Sequence, residues 1–149
     1  MKGTGMQLGK LHLVLVHFPI ALVVAAGAAD LLWAITRRKF FEHAGFYCLL
    51  VALVMAPLTA LTGSLLSDLK FSGHEPALSE QHETAAYIAL AVITAAAVVR
   101  VLWTLRGWKW LKVIYVLLIV SCLVTISIVG HLGGQLAFGE NYLRGLFGG

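Results

Sequence analysis

The sequence predicts an all-α integral membrane protein, an antiparallel four-helix bundle, on three observations. Hydrophobic residues fill 60% of the 149 positions and charged residues only 12%, with a mean hydropathy of +0.89, whereas roughly a quarter of a soluble domain is charged. The apolar residues fall into four runs, each long enough at ~1.5 Å per residue to cross a ~30 Å hydrocarbon layer. The charges collect in the connections between runs, where they report topology. A single membrane domain over residues 1–149 follows, with short loops and no soluble catalytic module. The formal charge of +4 and pI near 9.3 do not indicate nucleic acid, because the basic residues are dispersed and adjoin apolar runs.

The first span is expected at about 11–35. The segment Met1 to Lys10 precedes it with Lys2 and Lys10, as a secretory signal would. Cleavage is not expected, since the run is too long for a signal core and ends in Trp33-Ala34-Ile35-Thr36-Arg37-Arg38-Lys39 without a small-residue exit site. The other spans are expected at about 44–66, 84–105 and 110–132. Arg37, Arg38 and Lys39 fill the first connection, and Arg100, Arg106, Lys109 and Lys112 flank the third; the second sets Lys70 against Asp68, Glu75, Glu80 and Glu83. The positive-inside rule therefore puts the first and third connections in the cytoplasm and both termini outside. Trp103, Trp108 and Trp110 fall at the inner boundary, where indoles anchor a bundle.

Counting outward from the inner boundaries at about 20 residues per crossing brings His17, His82 and His131 to one level near the outer face. His12 lies about five residues, or ~7 Å, farther out. The second span contributes Thr59, Thr62, Gly63, Ser64 and Ser67, with Asp68 beyond. Ionisable groups at membrane depth tend to face a bundle interior, so these three histidines are expected to share one pocket. His43 belongs to the opposite end and His74 to the outer loop, both as solvated side chains.

Imidazoles on facing helices suit a b-type haem, with small residues lining the macrocycle. Ala21, Ala25 and Ala28 follow His17 at helical spacing, and Ala85, Ala86 and Ala89 follow His82. A non-haem copper, zinc or iron ion could instead take His17, His82 and His131, with Asp68 or water completing the set. Pro19 should kink the first helix or start it afresh just after His17, and Pro57 should kink the second, leaving a backbone gap for Thr59 or a neighbour. Asp30 should pair with Arg37, Arg38 or a basic residue near the third connection. Cys48 and Cys122 read as small buried hydrophobes. The first and third spans share an outer histidine above an alanine face, a pattern too slight by itself to define a repeat. No C-x-x-C-H, nucleophile elbow, Walker loop, zincin helix or dinucleotide fingerprint occurs.

The segment Leu11-His12-Leu13-Val14-Leu15-Val16-His17-Phe18-Pro19-Ile20, Leu61-Thr62-Gly63 with Asp68, His82, and Gly130-His131-Leu132-Gly133-Gly134-Gln135-Leu136 resemble the motifs of a bacterial four-span membrane family known as domain of unknown function 2231. Leu13 departs from the proline common in relatives after the first histidine. The resemblance covers nearly the whole chain, and the association of relatives with cytochrome c or Rieske iron–sulfur domains implies membrane electron transfer. Residues and resemblance together favour a small electron-transfer protein or subunit of the bacterial cytoplasmic (inner) membrane. It would bind one or two haems b through His17 with His82 or His131, with His12 as a further ligand, and serve a c-type cytochrome, a Rieske protein or a larger membrane complex. The competing expectations are a metal-binding or substrate-handling protein using the same histidines, and a purely structural subunit.

Overall fold

A computed structural model of the protein describes residues 11–67 and 76–139. Asp68, Lys70, His74 and Glu75 lie outside the described residues. Four helices carry the chain: α1 (His17–Thr36), α2 (Lys39–Ser67), α3 (Pro76–Arg106) and α4 (Lys109–Phe138). Each is long and apolar enough to cross a membrane, the first when counted with the helical residues 11–15 ahead of it as Leu11–Thr36. Leu31, Ile35, Val54, Leu61, Leu117 and many other large apolar side chains point outward, which a bilayer tolerates and water does not. The protein is a multi-pass membrane protein.

Local chemistry sets the helix ends. Pro19 lacks an N–H for the Leu15 carbonyl; the Thr59 hydroxyl reaches that carbonyl from α2 at 3.3 Å. The chain turns at Val16 and restarts at His17, as Pro19 suggested. Pro57 leaves α2 continuous, and Thr59 bonds Met55 and Leu15 instead of filling the gap at Leu53. The α3 helix begins eight residues before the expected span, at Pro76, whose fixed φ suits a first turn. His82 is therefore inside α3 and not at its head. The α2 and α4 helices also outrun the expected spans, because the polar residues flanking each apolar run continue the helix.

The α1 and α2 helices form one closely packed antiparallel hairpin, and α3 and α4 form another. Between hairpins α2 meets α3 more extensively than α1 meets α4, so α1 and α3 are diagonal across the bundle. The two hairpins match at a constant offset of 70 positions. Lys39 and Lys109 start helices, and Thr36 and Arg106 end them. Arg37 and Gly107 turn the chain with φ of 56° and 67°, a conformation glycine adopts freely and arginine only at a cost of ~1–2 kcal/mol. The core repeats too: buried Val23, Ala26, Leu49, Ala52 and Ala56 answer buried Ile93, Ala96, Ile119, Cys122 and Ile126. The bundle is thus a tandem pair of equivalent hairpins about an approximate two-fold axis along its length.

Candidate functional site

The interior stripe of α1 and the residues ahead of it runs His12, Val16, Pro19, Val23, Ala26, Asp30, alternating steps of four and three residues; that of α3 runs His82, Ala86, Ala89, Ile93, Ala96, Arg100. Such spacing keeps one helix face toward the core. Each stripe spans eighteen residue steps, about five turns or ~27 Å. Two diagonal helices thus bring a pair of imidazoles to one end of the bundle and an acid and a base to the other.

At the first end His12 and His82 line one cavity of about 60 Å³, with Pro19, Ala56, Ala60, Ala86 and Ala89 among its walls. Each ring lies against a glycine of its own hairpin. A Cβ on Gly63 would stand 2.9 Å from His12 Cε1, and one on Gly133 would stand 3.3 Å from His82 Cε1. The His12 Nδ1–H donates to the Thr59 carbonyl at 2.9 Å, an assignment of the proton that leaves Nε2 with the lone pair. At the equivalent place in the second hairpin the Val129 carbonyl faces the His82 ring, although His82 Nδ1 is buried with no hydrogen-bond partner among the described residues. His12, Thr59 and Gly63 recur as His82, Val129 and Gly133 at the same offset of 70.

His17 and His131 do not reach this cavity. Five residues separate His17 from His12, about 140° of helix rotation, so His17 is exposed with Ala21, Ala25 and Ala28. The alanine face expected beneath His17 meets lipid, whereas Ala85, Ala86 and Ala89 do turn inward below His82. His131 sits two residues before Gly133, about 200° around α4, and is also exposed. The three-nitrogen set of His17, His82 and His131 does not assemble, and no cluster of three or more His, Cys, Asp or Glu residues able to hold a metal ion occurs among the described residues. His43 is exposed at the far end, and Cys48 and Cys122 are free thiols.

At the opposite end Arg100, 2% exposed, meets Asp30 Oδ1 through Nη2 at 3.1 Å. The same Nη2 donates to the Glu42 carbonyl, and the Tyr115 hydroxyl donates to Asp30 Oδ2. Gly45 makes the pairing possible, since a Cβ there would stand 2.8 Å from Asp30 Oδ1. Asp30 finds a basic partner near the third connection as expected, in Arg100 toward the inner end of α3. Trp103 packs inward against Trp33 and Tyr115, leaving Trp108 and Trp110, exposed and stacked on each other, as the boundary aromatics. The missed signal is the offset itself: His12 with His82, Gly63 with Gly133, Trp33 with Trp103 and Asp30 with Arg100 all stand 70 apart.

Among known proteins, no curated protein and no solved structure matches this chain. The model of one family, described as predicted membrane protein and domain of unknown function 2231, matches residues 9–142. Since that match runs from before His12 through Gly133 to beyond the end of α4, the chain belongs to the domain of unknown function 2231 family of predicted membrane proteins.

Proposed function

We propose that the protein is a small haem b-binding electron-transfer protein or subunit, in which His12 and His82 would hold the haem. One observation carries the reading: two imidazoles from diagonal helices, one per hairpin, face a single cavity walled by small and apolar side chains. Two nitrogens on opposite sides of a slot are the donor set of a bis-histidine haem, while non-haem ions in proteins take three or four ligands. The absence of a third donor among the described residues therefore favours haem over copper, zinc or non-haem iron. The His12 Nδ1–H to Thr59 carbonyl bond is the outer contact that fixes tautomer and ring angle in histidine ligands generally. The cavity of about 60 Å³ has room for a few waters. A macrocycle requires the two hairpins to part along the seam between them, where packing is looser than within either hairpin.

Bound there, haem supplies a one-electron couple. Gly63 and Gly133 seat the two rings, Thr59 orients one of them, and Pro19, Ile20, Ile93 and Ile126 keep water away. The charge pattern of the connections supports an orientation in a cytoplasmic membrane with the histidine end outward and both chain ends outside. In that orientation the pair would be within reach of an extracytoplasmic partner such as a c-type cytochrome or Rieske protein.

The test is the absorbance spectrum of detergent-purified protein, with haem and metal content per chain. A Soret band with reducible α and β bands is expected, abolished in His12→Ala and in His82→Ala and retained in His17→Ala and His131→Ala. Full haem loading in both His12→Ala and His82→Ala refutes the role of the two histidines. Stoichiometric metal without a Soret band assigns the pair to a non-haem ion.

A further inference from the structure

The bundle end opposite the histidines holds a second cavity, of about 70 Å³, lined by Asp30, Trp33, Ala34, Arg100, Trp103, Lys112, Tyr115 and Val116. Its chemistry is unlike the first. Arg100 is 2% exposed; Nη2 is shared between Asp30 and the Glu42 carbonyl, while Nη1 is buried without a hydrogen-bond partner among the described residues. A buried guanidinium N–H left without an acceptor costs on the order of 1–3 kcal/mol; Asp30 Oδ1, 3.1 Å from Nη2, also lacks a hydrogen bond among the described residues, and the guanidinium carbon stands 4.7 Å and 4.8 Å from the Trp103 and Tyr115 ring centroids, so Nη1 is the guanidinium nitrogen left for a further acceptor. Lys112 adds a second cation, its Nζ 4.8 Å from the Trp33 ring centroid and 5.9 Å from that of Trp103. The lining carries two cations and one carboxylate. Glu42 lies outside the lining and meets Arg100 through its backbone carbonyl.

The position indicates how an acceptor would arrive. Trp33 stands three residues before the end of α1 and Lys112 three residues after the start of α4, so the cavity lies about 5 Å inside the helix ends, at the depth of lipid phosphates and glycerol. Ala34 and Val116, at its rim, are exposed to the surroundings of the bundle. That rim belongs to the seam between α1 and α4, the most open of the four between neighbouring helices.

We infer that this cavity binds the phosphate group of an anionic phospholipid, which accepts from Arg100 Nη1 and Lys112 Nζ while its acyl chains leave along the α1–α4 seam. Basic pockets between spanning helices are suited to such headgroups, and a guanidinium with an ammonium suits a phosphate oxygen pair. The site is independent of haem at the other end.

The experiment measures thermal stability of the full-length protein in neutral detergent while phosphatidylglycerol, phosphatidylcholine of the same acyl chains, or inorganic phosphate is titrated in. Phosphatidylglycerol is expected to raise the unfolding temperature saturably and phosphatidylcholine not to. Lys112→Gln is expected to shift the half-saturating phosphatidylglycerol concentration upward about fivefold. Lys109→Gln, an exposed charge at the same end but outside the lining, should leave it unchanged, and Lys112→Arg should restore it. A Lys112-dependent response to inorganic phosphate supports the same anion chemistry and assigns the pocket to a soluble phosphate compound. Equal responses to the two lipids, or equal responses of Lys112→Gln and Lys109→Gln, overturn the site.

Discussion

Three glycine-to-alanine substitutions test whether the histidine rings are seated as described. Gly130 lies in α4 with nothing within 4 Å of an added Cβ, so Gly130→Ala removes only the backbone cost of glycine in a helix and should stabilise by roughly 0.5–1 kcal/mol. At Gly133 the new methyl would come to 3.3 Å from His82 Cε1, a contact relieved by a few tenths of an ångström of ring movement. That substitution should be near neutral. At Gly63 the methyl would stand 2.9 Å from His12 Cε1 and 3.1 Å from Nδ1, closer than atoms pack. The ring must leave, with overpacking of about 1–3 kcal/mol and loss of the 2.9 Å bond to Thr59 at about 1 kcal/mol. Set against the helix gain of ~1 kcal/mol, Gly63→Ala should destabilise by about 1–3 kcal/mol. Denaturation of all three variants in one detergent gives the order Gly130→Ala, Gly133→Ala, Gly63→Ala from most to least stable. A Gly63→Ala protein as stable as Gly130→Ala refutes the seating of His12 against Gly63.

Arg100→Leu should destabilise by about 3–5 kcal/mol because it leaves the Asp30 carboxylate, 14% exposed, without its cation. Asp30→Leu combined with Arg100→Leu should cost less than Arg100→Leu alone, and denaturation of single and double variants reads the coupling; simple additivity would mean that the pair is not coupled. For orientation, a membrane-impermeant maleimide applied to intact cells should label Ser72→Cys and spare Thr36→Cys. Preferential labelling of Thr36→Cys would reverse the topology and place the histidine end in the cytoplasm.

The class and helix number were legible because lipid imposes them: apolar runs of spanning length have no alternative to helix. The end of the bundle at which each histidine sits was also legible, since rise per residue is fixed, but the count set His12 about 7 Å beyond the level of His82, with which it shares a cavity. Rotation about the helix axis was not, because every side of these helices is apolar and no polar face marks the outside. His17 and His12 lie five residues apart and differ by about 140° in direction, and the proline beside His17 pointed to the lipid-facing ring. Resolving that direction needed the stripe of small or polar residues that includes His12, Pro19, Ala26 and Asp30. Its recurrence in α3, seventy residues on, distinguishes it from chance.

The two ends of the bundle obey different rules because equivalent positions on diagonal helices face each other across the approximate axis. An imidazole carries no obligatory charge and tolerates its own copy there, so His12 and His82 remain alike, each held against a glycine four residues after a backbone carbonyl that its ring faces. An ionised group does not: two carboxylates or two guanidinium groups at such separations repel strongly in a medium of low dielectric. The inner end accordingly departs from the repeat in sign, with Asp30 answered by Arg100 and Glu42 by Lys112. Gly45 is answered by Tyr115, which donates to the carboxylate whose Oδ1 occupies the space that Gly45 leaves open. A twinned hairpin can thus keep identical imidazoles at one end while its charges are complementary at the other. The surplus donor on Arg100 is the part of that complementarity which Asp30, Glu42 and Tyr115 leave unmet.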